Sequence, residues 1–185
     1  MRQRKQGRYY IVDATLAKML RRYQSNIPVP VVNLARELGL KVFLTKKFPD
    51  KKSGEIVKEE GSFSVYLNAN HPYARNRFTL AHEIAHYMLH RPYLDRKKEI
   101  EDFVGTTYSL SRDKNNRDLK EWEADMLAGD ILMPEAEFVR VWNDKKTVAE
   151  VAAVFDVSEQ AAYVRAKVLA MERQDREILP QAKAA

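Results

Sequence analysis

The chain has 185 residues, a formal net charge of +6 and no cysteine. That length suits one domain, or one with a small appendage, and the missing cysteines exclude disulfides and thiolate metal sites. No apolar run approaches a membrane span, the basic start Arg2–Arg8 lacks the apolar stretch of a secretory signal, and a reducing cytoplasm is the expected location. The basic residues are scattered, at Arg21-Arg22, Lys46–Lys52 and Arg96–Lys98, which reads as a solvated surface. Residues 13–24 then read as a first helix. Asp13 caps it, and Leu16, Met19, Leu20 and Tyr23 share one face. Pro28 and Pro30 break it. Val31–Leu38 suits a second helix that stops at Gly39, and Leu40–Thr45 suits a strand. After the polar loop Lys46–Ser53, short strands are expected at Glu55–Lys58 and Phe63–Asn68, where Phe63, Val65 and Leu67 alternate with polar residues. A small twisted sheet follows, and Phe63–Leu67 is expected as an edge strand to which an extended substrate adds by strand pairing.

The next segment carries the chemistry. Residues 82–86 read His-Glu-Ile-Ala-His, flanked by Phe78, Leu80, Ala81, Tyr87, Met88 and Leu89. A helix apolar almost all round is buried, and burying imidazoles and a carboxylate is costly unless something satisfies them. Four-residue spacing puts His82 and His86 on one helix face, where both reach one metal ion, with Glu83 beside them as a base for metal-bound water. Ala81 and Ala85 keep one side thin enough for another element to come close. His90 lies about 12 Å past His82 along the axis, too far to share the ion. It reads as an end-of-helix or outer-shell residue, and Arg91-Pro92 should stop the helix.

Zinc needs a third protein ligand and an open fourth position. Lys97–Val104 is expected to be helical. Thr106–Arg112 is expected to be irregular or extended, roofing the cleft, with Tyr108 either an oxyanion donor or a packing tyrosine. Asp118–Ala128 reads as a helix capped by Asp118. Its turns place Glu121 and Asp125 on the face of Ala124, Ala128 and Leu132, while Glu123 points the other way with Asp130, on a solvated face. Glu121 is therefore the expected metal ligand and Asp125 the acceptor for a histidine N–H. His/His/Glu ligation suits zinc and also admits manganese. Beyond Met133-Pro134, a helix carries Phe138, Val141 and Trp142. Thr147–Glu150 forms a capping box for a helix through Phe155, and Ser158 caps a last helix to about Arg173. This outline is helix-turn-helix-like, but its acidic, alanine-rich second helix suits packing or substrate docking better than DNA reading.

Three motifs together resemble the ImmA/IrrE metallopeptidases: Phe78-Thr79-Leu80-Ala81-His82-Glu83-Ile84-Ala85-His86, Glu121-Trp122-Glu123-Ala124-Asp125 and Ile131-Leu132-Met133-Pro134. The likeness runs from about residue 27 to about residue 170 and includes Leu34–Val42 and Ser53-Gly54-Glu55. Met126–Asp130 departs from the family pattern, which reads as altered packing. The resemblance implies that His82, His86 and Glu121 are ligands of a zinc ion and Glu83 the catalytic base. It also implies a zinc endopeptidase that cleaves a helix-turn-helix repressor and so derepresses mobile-element or stress genes. The competing readings are a non-catalytic regulator that binds DNA or a repressor, and a toxin–antitoxin component with a structural metal. The expected fold is α+β and zincin-like, a small twisted sheet packed on the buried metal helix. The expected divisions are a basic segment and helix at 1–26, a metallopeptidase core at 27–134, a C-terminal helical subdomain at 135–174 and a disordered tail at 175–185.

Overall fold

The computed structural model describes residues 12–59, 61–94, 99–102, 119–145 and 147–171. Local signals start several elements. Helix α1 (Ala14–Gln24) begins where the Asp13 carboxylate accepts from the Thr15 and Leu16 amides at 2.9 and 3.4 Å. Helix α2 (Val31–Glu37) follows the two prolines and ends before Gly39, whose φ of 81° only glycine adopts without strain. Strands β1 (Leu40–Thr45), β2 (Gly54–Glu59) and β3 (Ser62–Asn68) follow, then the long helix α3 (Tyr73–Leu94) and strand β4 (Glu99–Asp102). Four helices complete the described chain: α4 (Leu119–Leu132), α5 (Glu135–Asp144), α6 (Val148–Phe155) and α7 (Glu159–Val168).

The fold is mixed α+β. The strands form one sheet in the order β1-β3-β2-β4. β1 runs parallel to β3, with Leu40 opposite Phe63; β2 runs antiparallel to β3, with Gly54 opposite Leu67; β4 runs antiparallel to β2, with Ile56 opposite Ile100. Two expectations change here. Phe63–Leu67 lies on an interior strand hydrogen-bonded on both sides, so among the described strands the edges are β1 and β4. Its burial agrees, since Ser64 and Asn68 are as enclosed as Val65. The helix expected at Lys97–Val104 is replaced at Glu99–Asp102 by β4, because pairing with the open side of β2 outweighs local helical preference. The remaining residues of that segment lie outside the described ones.

Helix α3 packs between the sheet and α4. Among the described helices its contact with α4 is the most extensive, and Ala81 and Ala85 on α3 and Ala124 and Ala128 on α4 are all fully buried. On the sheet side, a Cβ at Gly54 would stand 2.5 Å from Thr79 Cγ2, so glycine lets the helix lie close. The helix is interrupted next to Arg91-Pro92, where the sequence predicts its end. The backbone kinks at His90 (φ −120°, ψ 20°) and a further turn runs to Leu94. Proline is tolerated in the first turn after a break, where it has no amide hydrogen bond to lose. Helix α6 opens with the expected capping box between Thr147 and Glu150. Helix α7, capped by Ser158, ends at Val168, short of Arg173; Leu169 closes it and Ala170 takes a φ of 52°. Among the described residues, no helix is long and apolar enough to cross a membrane.

Candidate metal centre

Among the described residues, two facing helices, α3 and α4, supply the side chains of the site. His82 and His86 project from consecutive turns of α3 and are 2% and 1% exposed. Their Nε2 atoms approach to 3.0 Å. Across from them, α4 brings Glu121, whose Oε2 is 3.2 Å from His82 Nε2 and whose Oε1 is 3.3 Å from His86 Nε2. Zinc–ligand bonds of about 2.0–2.1 Å at tetrahedral angles separate neighbouring ligand atoms by roughly 3.3–3.4 Å. The observed spacings lie close to that, and these three residues could hold a metal ion. The donor set of two imidazoles and one carboxylate suits zinc, and manganese as well.

A second layer of contacts surrounds the first. His82 Nδ1 lies 3.0 Å from Asp125 Oδ1, one turn beyond Glu121 on α4. His86 Nδ1 lies 3.1 Å from His90 Nδ1, and His90 Nε2 lies 3.1 Å from Glu123 Oε2. Glu83 is fully buried on the same turn as the ligand pair, and its charge favours a proton on His82.

The electrostatics follow from this packing. Burial disfavours a charged His82, but the hydrogen bonds it donates to Asp125 and Glu121 outweigh it and hold the imidazole well above the ordinary histidine range. Burial likewise opposes the Glu121 carboxylate, yet the two imidazoles hold it well below the ordinary carboxylate range. For His90 burial prevails, and its affinity for a second proton falls.

The structure thus brings His82, His86 and Glu121 together, sets Asp125 against His82 and buries Glu83 alongside. Glu123 departs from expectation. The helical wheel puts it on a solvated face, but its side chain is 24% exposed and partners His90. The signal available was the third histidine one turn beyond His86, which left a buried ring in need of a polar neighbour. Asp118, Tyr108 and the cleft-roofing stretch Thr106–Arg112 lie outside the described residues.

The family model of the IrrE N-terminal-like domain, Peptidase M78, matches residues 35–167. The chain belongs to this family. The matched M78 region runs from α2 to α7 and so contains both helices of the metal centre. The fold is similar to that of a Mycobacterium tuberculosis transcriptional regulator, with a TM-score of 0.56 at 14% identity. That likeness covers 91% of this chain and 50% of the other, so this M78 chain spans about half the length of that protein. No curated protein sequence matches it.

Proposed function

We propose that the protein is a zinc-dependent endopeptidase with His82, His86 and Glu121 as ligands and Glu83 as the catalytic base. The observation that carries this reading is the convergence of three donors at near-tetrahedral spacing, from two helices, next to a fully buried carboxylate. His82, His86 and Glu121 would hold the zinc ion, which would supply Lewis acidity to a carbonyl oxygen and a water molecule. Glu83 takes the proton of the attacking water and hands it to the departing amine. Asp125 accepts the Nδ1 hydrogen of His82, which leaves Nε2 bare for the ion. A structural metal site has no use for a buried base at position 83, which weighs against the non-catalytic and toxin–antitoxin readings.

The proposed substrate is a cytoplasmic helix-turn-helix repressor whose cleavage releases mobile-element or stress genes, in keeping with membership of the M78 family. The C-terminal helices suit docking of that repressor. Helix α7 turns Ala161, Ala162, Val164 and Ala166 inward and exposes Glu159 and Gln160 in its first turn. An acidic exposed turn is ill matched to a phosphate backbone, which weighs against DNA binding.

The test is to incubate the purified chain with the repressor encoded beside it, with and without added zinc, and to look for fragments. Zinc-dependent fragments from the wild type and none from Glu83→Gln are expected, with zinc content equal in both. Loss of a general base costs about 10²–10⁴ in rate. Full activity in Glu83→Gln would end the mechanism as written.

A further inference from the structure

His90 is a buried histidine that the zinc reading leaves without a task. It is 8% exposed and sits where α3 kinks. Its two ring nitrogens face different partners: Nδ1 meets His86 Nδ1 at 3.1 Å, and Nε2 meets Glu123 Oε2 at 3.1 Å. One assignment of hydrogens makes both contacts hydrogen bonds between neutral rings and an accepting carboxylate. An ionised carboxylate only accepts, so His90 carries its hydrogen on Nε2 and presents a bare Nδ1. Two facing ring nitrogens share one hydrogen, so His86 donates from its own Nδ1. That leaves His86 Nε2 bare, and this is the atom beside His82 Nε2 and Glu121.

We propose that His90 and Glu123 are positioning residues that fix the tautomer and ring orientation of His86 for metal binding. This rests on the zinc-centre reading above and deepens it. The two ligand imidazoles are anchored unequally. His82 reaches a carboxylate directly, through Asp125 at 3.0 Å, whereas His86 reaches Glu123 only through a second imidazole. One helix, α4, supplies all three acids, so its seating against α3 sets a ligand and both tautomers at once. The kink serves the same arrangement. It changes the direction of α3 at the residue whose ring must lie against both His86 and Glu123.

A merely structural His90 would stabilise the metal-free fold without affecting zinc. The experiment therefore measures zinc affinity by competition with a chromogenic chelator, on the full chain, beside thermal melts of the metal-stripped protein. The variants are His90→Ala, His90→Gln, Glu123→Gln and the double His90→Ala/Glu123→Gln. His90→Ala is expected to weaken zinc binding about 10–100-fold, the usual cost of losing such a partner. His90→Gln, whose amide oxygen can accept from His86, should recover much of that loss and also serves if the alanine variant fails to fold. The double variant should bind zinc no more weakly than His90→Ala alone, because Glu123 acts through His90. Wild-type zinc affinity in folded His90→Ala, or fully additive losses in the double, would overturn the proposal while leaving the zinc centre standing. A wild-type protein that holds no zinc would overturn both.

Discussion

Asp125 Oδ1 lies 3.0 Å from His82 Nδ1, and that contact has a measurable consequence. Asp125→Asn keeps the size of the side chain but offers a weaker acceptor, and zinc affinity is expected to fall about 10–100-fold in a chelator competition. Stability against pH follows from the same cluster. In the metal-free protein, His82 binds its proton more tightly than the ordinary 6.5, so its contribution is full below that value and is lost as the pH rises through the raised one. Glu121 is depressed from 4.5, so its contribution is present above that value and is lost as the pH falls through the lowered one. Stripped protein should therefore melt highest between roughly pH 4.5 and 6.5 and lose stability as the pH rises from there toward the raised value of His82, and zinc-loaded protein should gain relative to it as the pH rises, since the ion displaces the His82 proton. Melting curves on both forms across that range check this; a zinc effect that shrinks with rising pH would contradict it. The convergence of His82, His86 and Glu121 was legible in the sequence because helical periodicity alone puts each residue on a known face. The pairing of Glu123 with His90 was not, because a helical wheel treats each helix as straight and alone. Here α3 kinks at His90 and an acid on another helix face meets its ring.

Elements meet in this fold where side chains are small. Ala85 on α3 and Ala128 on α4 are fully buried, so Ala85→Leu has nowhere to put three further carbons. Overpacking of that kind costs about 1–3 kcal/mol, and by pushing α4 away it should also weaken zinc binding. Chemical denaturation and the chelator competition should move together in this variant. Gly54 offers a parallel case on the sheet side, where the crowding atom is known. Gly54→Ala would press a methyl against Thr79 Cγ2 at 2.5 Å and the Tyr66 carbonyl at 3.0 Å. It should destabilise by a similar amount, and adding Thr79→Ser, which removes the crowding methyl, should restore part of the loss. Boundaries set by local chemistry were legible: the Asp13 cap of α1, strand β1 and the Thr147 capping box. The order of strands was not, because alternation shows that Phe63, Val65 and Leu67 share a face but not how many neighbours their strand has. Strand β4 escaped for a related reason: its pairing partner is more than forty residues away in sequence.

Two buried arginines decide how the C-terminal helices relate to the rest of the molecule. Arg77, on α3, donates from Nε to the Asp156 carbonyl at 3.0 Å and from Nη2 to the Val29 carbonyl at 3.1 Å. It thereby ties the loop before α2, the metal helix and the α6–α7 turn to one guanidinium. Arg165, on α7, donates from Nε to the Met133 carbonyl at 3.0 Å and pairs through Nη1 with Asp130 at 2.5 Å. The apolar core is likewise continuous, since Phe138 and Phe155 belong to the same cluster as Ala124 and Leu127. These links predict that α5–α7 unfold together with the metallopeptidase core in one transition, even though the chain divides on paper at residue 134. Arg77→Met fills the same space but removes the guanidinium that ties these segments together; the Val29 carbonyl keeps the Val31 amide at 2.8 Å, so a cost of about 1–3 kcal/mol is expected from the lost Arg77 hydrogen bonds. Asp156→Asn provides the contrast. It removes only a half-exposed ion pair at 3.6 Å and keeps a residue type that tolerates the φ of 54° at that position, so it should cost no more than about 1 kcal/mol. Urea unfolding followed by hydrogen exchange on α6 and α7 separates the two outcomes. In Arg77→Met the amides of these helices should exchange before those of β3, whereas in the wild type and Asp156→Asn they should exchange with them; early exchange of α6 and α7 in the wild type would show that the clamp does not hold.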